Sequence, residues 1–348
     1  WFQKIADNGG IHSLKDQVGD YNILYQTIVA LFTYIGDKSI YYYKILSIFF
    51  DFCMAISAAI FACELSKKEK NDKVFFVTFA AVIMLPTVIL NSAYWGQCDS
   101  IYTTFIILTL LYLYREKYHR AFMFLGIAFA FKMQTIFIFP FIICFYIYKK
   151  QFSIFELLIT VFTFWISGIG AFVQGRSLLD PFRIYANQTG TYQYMHVNFP
   201  SFWMFVGNDY EWLKTAAIVM AAGICGMGLY IIMKRKLDCS RPENFVSIAS
   251  WFIWTCVLFL PAMHERYAYP LEILLVILTC INKDYLKYSS VAILFSLFTY
   301  GNYLFSNGGL DKYIVIIYAG CYLHFTYTIL KKNSKAATVT DKEMQNES

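Results

Sequence analysis

Long apolar runs recur along the whole chain, and they constrain its fold more than any other feature. A helix needs ~20 consecutive apolar residues to cross a bilayer, and stretches of about that length alternate here with short basic loops. Only 15% of the residues are charged and 58% are hydrophobic, whereas a soluble domain carries about 25% charged residues. A transmembrane barrel would show short alternating segments instead. We therefore predict an all-α fold, a polytopic transmembrane helical bundle.

Short loops rich in Lys and Arg predict the orientation of the spans, because such loops stay on the cytoplasmic side. With these loops inside, the net charge of +6 is a topology signal, and no nucleic-acid partner is predicted. The loops are residues 67–73, 115–120, 149–150, 234–236, 283–287 and 331–332. The predicted spans are residues 40–63, 74–94, 99–114, 153–173, 211–233, 245–260, 267–281, 288–305 and 311–330.

Two segments are too short to form the full spans that this topology would require. Residues 121–148 lie between two inside loops, so we predict two short or broken helices with Lys132 at the tip between them. Residues 21–36 are aromatic and short, which favours an interfacial helix on the outer face. The total is about ten transmembrane or half-transmembrane helices, plus interfacial helices in external loops.

Three regions follow from this count. Residues 1–39 form an external loop with its interfacial helix, and residues 40–330 form the transmembrane bundle. Residues 331–348 are polar and lack apolar periodicity, so they are predicted to be a disordered cytoplasmic tail. We place the protein in the cell membrane as a multi-pass protein.

Five polar clusters interrupt the apolar sequence, and the topology places all of them on the external face. Charge within or beside a membrane span is unfavourable, so its default interpretation is functional. We therefore predict one site on that face. The clusters are residues 1–20, 95–99 and 132–134, the loop around His196, and residues 264–267.

Each cluster also has a structural interpretation. Lys132 lies between phenylalanines, which favours an anionic partner such as phosphate over snorkelling to the interface. Asp99 begins the returning helix and could simply cap it, as Asp20 could cap the interfacial helix. Arg266 can bind a phosphate bidentately and His264 can add a second hydrogen bond. A structural pair between Glu265 and Arg266 remains an alternative.

The loop at residues 174–210 mixes aromatic and amide side chains. That mixture suits sugar recognition, and it equally suits an amphipathic helix on the outer leaflet, which is the favoured interpretation. The nine cysteines lie mostly in apolar segments without metal-ligand spacing. We therefore predict neither a metal site nor another cofactor.

Three motifs carry a resemblance to a known family: Trp95-Gly96-Gln97-Cys98-Asp99-Ser100, Phe131-Lys132-Met133-Gln134 and Met263-His264-Glu265-Arg266-Tyr267. In this order and spacing they resemble the GT-C superfamily of membrane glycosyltransferases. The nearest branch resembles bacterial proteins related to the GPI mannosyltransferases. The likeness covers roughly residues 1–305.

The resemblance implies an enzyme that takes a hexose from a polyprenyl-phosphate sugar delivered from the outer leaflet. It implies transfer with inversion to a hydroxyl of a cell-surface glycan or lipid acceptor, without a metal. By position, the residues that bind the donor phosphate are Lys132, His264 and Arg266. The residues that line the substrate cavity are Trp95, Gln97, Gln134, Glu265 and Tyr267.

The base is a further expectation of the resemblance. In the superfamily an Asp of the first external loop, after the first helix, deprotonates the acceptor hydroxyl. We expect that helix and that Asp to precede Trp1, with Asp20 and Asp99 as the candidates within this sequence. Two other functions stay open, namely a flippase for a lipid-linked saccharide and a polysaccharide polymerase or ligase with a diphosphate donor. A flippase should show internal repeats, and we find none.

Overall fold

The computed structural model describes residues 1–66, 72–306 and 312–346, and for residues 333–346 it describes only the helical backbone. The described residues form sixteen α-helices: α1 (Phe2–Asp7), α2 (Ile23–Phe32), α3 (Ser39–Leu65), α4 (Asp72–Ile83), α5 (Pro86–Ile89), α6 (Asp99–Tyr114), α7 (Tyr118–Phe131), α8 (Phe139–Lys149), α9 (Leu157–Ile166), α10 (Ile169–Phe172), α11 (Asp180–Gln188), α12 (Tyr210–Lys234), α13 (Pro242–Phe259), α14 (Tyr269–Ile281), α15 (Leu286–Phe305) and α16 (Lys312–Asn346).

Shorter helical turns link some of these helices. The 3₁₀ turns are Gly10–Lys15, Met133–Ile138, Ile154–Glu156, Phe202–Phe205 and Lys283–Tyr285, and Leu90–Tyr94 is a π-helix. No β-strand occurs within the described ranges, where a single bridge pairs His196 with Met263. The predicted all-α class is therefore confirmed.

The described chain divides into two compact units. The first contains residues 1–64, 72–136 and 151–193, and so α1 to α7 with α9 to α11. The second contains residues 65–66, 137–150 and 194–346, and so α8 with α12 to α16.

Among the described residues, three helices are long and apolar enough to cross a membrane, namely α3, α12 and the Lys312–Lys332 part of α16. A fourth candidate is the bent pair Lys73–Ile83 and Pro86–Tyr94. Several shorter apolar helices, such as α6 and α7, accompany them. These features are those of a helical membrane protein. The predicted number of about ten spans, and the sidedness, stay predictions.

Two predicted spans are interrupted in the structure. The span predicted at residues 74–94 bends by 49° between Ile83 and Pro86, because a proline cannot donate to the helical ladder and restricts the preceding residue. The span predicted at residues 153–173 is divided between α9 and α10 by Ser167 and Gly168. Small residues such as these are common where helices break.

The C-terminal segment also differs from the prediction. Disorder was predicted from residue 331, whereas the helical backbone of α16 continues to Asn346. Residues 331–346 contain neither proline nor glycine, and each residue added to an existing helix gains a hydrogen bond without a new nucleation step. Two parts of the predicted topology lie outside the described residues. They are positions 67–71 of the first cytoplasmic loop and position 311 at the start of the last span.

The helix break predicted at Lys132 is confirmed. The helix α7 ends at Phe131, and Lys132 is extended, with φ −154° and ψ 133°. A three-residue connection joins α6 to α7, so the two helices run antiparallel and the end of α7 returns to the start of α6. The ring of Phe131 stacks on Phe105 of α6, with centroids 5.8 Å apart. This packing brings Lys132 towards the first turn of α6.

Close packing of α7 on α9 depends on Gly126. A Cβ atom added there would lie 2.6 Å from the backbone oxygen of Thr160 and 2.7 Å from Cβ of Thr163. The Thr160 hydroxyl also donates to the carbonyl oxygen of Phe122 over 2.9 Å. The first unit is therefore sensitive to any side chain at position 126.

We predict that Gly126→Ala lowers the free energy of unfolding by roughly 1–3 kcal/mol, because the added methyl group forces α7 and α9 apart. The matched control is Gly223→Ala in α12, where an added Cβ would meet nothing within 4 Å. There, alanine should be neutral or stabilising. Thermal midpoints of the two detergent-solubilised variants provide the measurement, and equal midpoints would contradict the packing argument.

Candidate functional site

A buried ion pair joins two of the predicted site residues in the first unit. Lys132 Nζ lies 2.5 Å from Asp99 Oδ1, and Asn91 Nδ2 donates to Asp99 Oδ2 over 2.9 Å. Asp99 is 0% exposed and Lys132 is 3% exposed. An isolated charge is very unfavourable at such a depth, so each residue requires the other. The anion beside Lys132 is therefore a carboxylate of the protein, whereas the sequence favours a phosphate at this position.

The position of Asp99 adds a second stabilising term. It is the first residue of α6, and a negative charge in the first turn interacts favourably with the partial positive charge of a helix N-terminus. Its carboxylate reaches across to Lys132, so Asp99 does more than cap its own helix, which was the alternative interpretation. Both carboxylate oxygens accept from protein donors.

Aromatic rings surround the ammonium group of Lys132. Its Nζ lies 5.4 Å from the ring centroid of Tyr102 and 5.6 Å from that of Tyr21. Both distances fall within the range of cation–π attraction. The hydroxyl of Tyr21 donates to Gln97 Oε1 over 3.1 Å. The structure therefore connects three predicted site residues, Asp99, Lys132 and Gln97, through the ring of Tyr21.

The other predicted site residues of this unit have different surroundings. Gln134 is buried, and its Oε1 has no hydrogen-bond partner within the described residues. Trp95 is half-buried near the turn before α6, and Asp20 is exposed. Asp20 lines a separate polar cavity with residues of α11 and residues that flank this helix. The first unit thus places Asp20 and Asp99, the two candidate bases, in different environments.

The second unit has a charged cluster centred on Glu265. Arg266 Nη1 donates to Glu265 Oε1 over 2.6 Å, and His264 Nδ1 lies 3.8 Å from Glu265 Oε2. Asn198 Nδ2 donates to the same Oε2 over 3.3 Å. Glu265 is 0% exposed. The structural pair between Glu265 and Arg266, left open by the sequence, is therefore present, and His264 lies within 4 Å of the same carboxylate.

The ring of Tyr267 packs against two members of this cluster. The ring centroids of His264 and Tyr267 are 5.0 Å apart, and the guanidinium of Arg266 lies 6.0 Å from the Tyr267 centroid. The hydroxyl of Thr299 donates to the carbonyl oxygen of Glu265 over 2.9 Å. Residues 264–267, which lie between α13 and α14, are thus fixed by contacts on several sides.

The loop around His196 pairs with this cluster. The amide of Val197 donates to the carbonyl oxygen of Met263 over 3.1 Å, and the amide of Ala262 donates to that of Met195 over 3.1 Å. Ala262 has φ +58°, a left-handed conformation that is uncommon outside glycine and asparagine. Burial lowers the pKa of His196 from its ordinary value. An amphipathic helix was favoured for residues 174–210, and α11 accounts for its first part, but residues 195–198 belong to the Glu265 cluster.

Asn198 and Asp51 are among the residues that the sequence analysis missed. Asn198 gave no signal, because a single amide in a loop is unremarkable until the fold brings Glu265 beside it. The sequence did mark Asp51, because it is an acidic residue between phenylalanines within the apolar helix α3. In the structure Asp51 is buried and accepts a short hydrogen bond from the Ser92 hydroxyl.

No group of three or more metal-ligating side chains occurs within the part of the chain that the structure describes. Comparison with protein-family models finds no match for this chain. Comparison with curated proteins finds no match either.

We predict that Lys132→Met lowers the free energy of unfolding by ~3–5 kcal/mol, because the Asp99 carboxylate is then buried without its cation. The double variant Lys132→Met with Asp99→Asn removes both charges and should be more stable than Lys132→Met alone. Thermal midpoints of the single and double variants complete a double-mutant cycle. Additive losses in that cycle would show that the two side chains do not interact.

Proposed function

We propose that this protein is an integral membrane glycosyltransferase. It transfers a hexose from a polyprenyl-phosphate sugar to a hydroxyl of a cell-surface glycan or lipid acceptor, at the external face and with inversion. The observation that carries this proposal is the cluster of His264 and Arg266 around the buried Glu265. Its residues belong to the most specific motif of the resemblance to the GT-C superfamily.

In the proposed reaction the acceptor oxygen attacks the anomeric carbon and forms the new glycosidic bond. The bond from that carbon to the phosphate oxygen breaks, and its electron pair leaves with the polyprenyl phosphate. Stabilising this leaving anion is an electrostatic task. Arg266 offers a planar guanidinium that matches phosphate geometry, and His264 offers a second donor. Glu265 orients the guanidinium of Arg266 through their hydrogen bond.

Within this proposal Lys132 is not a principal ligand of the donor phosphate. Its ammonium already contacts Asp99 at 2.5 Å, so a phosphate would have to compete with a buried carboxylate. Arg266 also pairs with a buried carboxylate, but a guanidinium has five N–H donors and can bind phosphate while it keeps that contact. We therefore assign His264 and Arg266 as the principal donor-phosphate ligands. Lys132 and Asp99 hold the helix ends that carry Gln97 and Gln134, the predicted cavity residues. The proton of the acceptor hydroxyl goes to a carboxylate base, and Asp99 is a poor candidate for it because it is fully buried against Lys132.

An isoprenoid donor also needs an apolar surface at membrane depth. The second unit has a cavity of about 330 Å³ whose lining is almost entirely apolar and includes Met227, Trp251 and Leu323. These residues belong to α12, α13 and α16. Two of these helices, α12 and α16, are long and apolar enough to cross a membrane. We assign this cavity to part of the isoprenoid chain.

The test reconstitutes the protein in liposomes with radiolabelled polyprenyl-phosphate mannose, glucose or galactose. Octyl glycosides serve as surrogate acceptors. We predict label transfer from one of these donors, and His264→Ala and Arg266→Gln should each slow transfer by about 100-fold or more. Arg266→Lys should restore only part of the rate, because lysine keeps the charge but loses the bidentate geometry.

The matched control is Lys214→Gln, a partly exposed cation of α12 that pairs with Glu211. It should transfer at the wild-type rate. Size-exclusion profiles and thermal midpoints show which variants are folded. Full activity in folded His264→Ala and Arg266→Gln would refute the phosphate assignment. Labelled lipid that crosses the bilayer without losing its sugar would indicate the flippase alternative.

A further inference from the structure

A polar cavity of about 250 Å³ lies in the first unit. Its lining includes neither Lys132 nor Asp99. One wall is the loop that precedes α2, and the other consists of α11 and its flanking residues. Apart from Gly19 and Ile184, every lining side chain is charged or carries an amide or hydroxyl group. Such a lining is unusual for a gap left by imperfect packing, which is apolar.

Arg176 joins the two walls. It is 7% exposed, its Nε donates to Asp180 Oδ2 over 2.9 Å, and its Nη2 donates to Gln17 Oε1. Its Nη1 approaches the carbonyl oxygens of Leu14 and Asp16, at 3.5 Å and 3.4 Å. A buried guanidinium with this many acceptors fixes the distance between the loop and α11. The cavity is therefore held open by specific contacts.

Gly19 is required for the shape of the loop wall. Its φ is +75°, and an added Cβ would lie only 2.0 Å from the indole ring of Trp1. The indole therefore packs directly on the glycine backbone. The neighbouring Asp20 is exposed and lines the cavity.

The charges of the cavity balance. It is lined by two arginines, Arg176 and Arg183, and by two aspartates, Asp20 and Asp180. Both arginines contact Asp180, with Arg183 Nη1 at 3.4 Å from its Oδ1. A phosphate or a carboxylate that entered here would meet two carboxylates already present. The balance therefore favours a neutral ligand.

The remaining lining groups suit hydroxyls. Gln188 lines this wall, and its Oε1 is closed to solvent and has no hydrogen-bond partner within the described residues, so a change of its rotamer would present an acceptor to a ligand. Asn187 and Thr191 add amide and hydroxyl groups along the same wall. A sugar hydroxyl is both donor and acceptor, and it can use carboxylate, amide and guanidinium groups together.

We propose that this cavity binds a neutral saccharide unit. Asp20 and Gln188 accept hydrogen bonds from its hydroxyls, and Arg183 and Asn187 donate to its oxygens. The proposal concerns binding alone and stands apart from the transfer reaction, because a transferase and a transporter would both need such a site.

The test uses the purified full chain in lipid nanodiscs, which avoids detergents with sugar headgroups. Saturation-transfer difference NMR measures binding of the methyl α-pyranosides of mannose, glucose and galactose. At least one of these should bind, and the methyl glycoside of glucuronic acid and inorganic phosphate should bind more weakly. Asp20→Ala and Gln188→Leu should each weaken binding about fivefold or more, because each removes an acceptor within the cavity.

The matched control is Gln193→Leu, an exposed amide close in sequence that is not part of the lining, and it should bind as the wild type does. His264→Ala should also keep glycoside binding while it loses transfer, so the two proposals fail independently. The absence of binding by all three neutral glycosides would overturn the inference. Unchanged binding in both cavity variants would overturn it as well, as would tighter binding of phosphate that Arg183→Gln abolishes.

Discussion

The ion pair between Lys132 and Asp99 determines much of the first unit. An ammonium group between phenylalanines cannot remain in an apolar interior without an anion, and the carboxylate of Asp99 cannot remain there without a cation. Their mutual requirement fixes the end of α7 against the start of α6. The stacking of Phe131 on Phe105 and the short α6–α7 connection bring the same two ends together. Hydrophobic packing and charge pairing thus specify one arrangement.

Both charged clusters lie where helices end. Lys132 follows the last residue of α7, and residues 264–267 lie between α13 and α14. Helix ends leave backbone groups without intrahelical partners, so they are the places in an apolar protein where polar side chains find hydrogen bonds. A helix end also presents a partial charge that a buried ion can use. In a chain of this composition, polar chemistry concentrates at such breaks.

The sequence indicated which polar positions interrupt the apolar helices, but it did not indicate which residues would be their partners. The helix break at Lys132 could be predicted, because a short apolar stretch between two basic loops cannot contain two full spans. The pairing of Lys132 with Asp99 could not, because the two residues are 33 positions apart and no periodicity relates them. Asn198 and Glu265 are separated by 67 positions and present the same difficulty. The division at Ser167 and Gly168 was missed because hydrophobicity continues across it.

The environments of the charged side chains also distinguish their roles. Asp99 accepts from a lysine and an asparagine, and it is fully buried, so its carboxylate is committed to the fold. Asp20 is exposed at the wall of a cavity with balanced charge, where a ligand hydroxyl can reach it. Glu265 is buried like Asp99, yet it holds an arginine and a histidine, the side chains best suited to phosphate. A carboxylate in such a position acts through its neighbours, which in our proposal are the ligands of the donor phosphate.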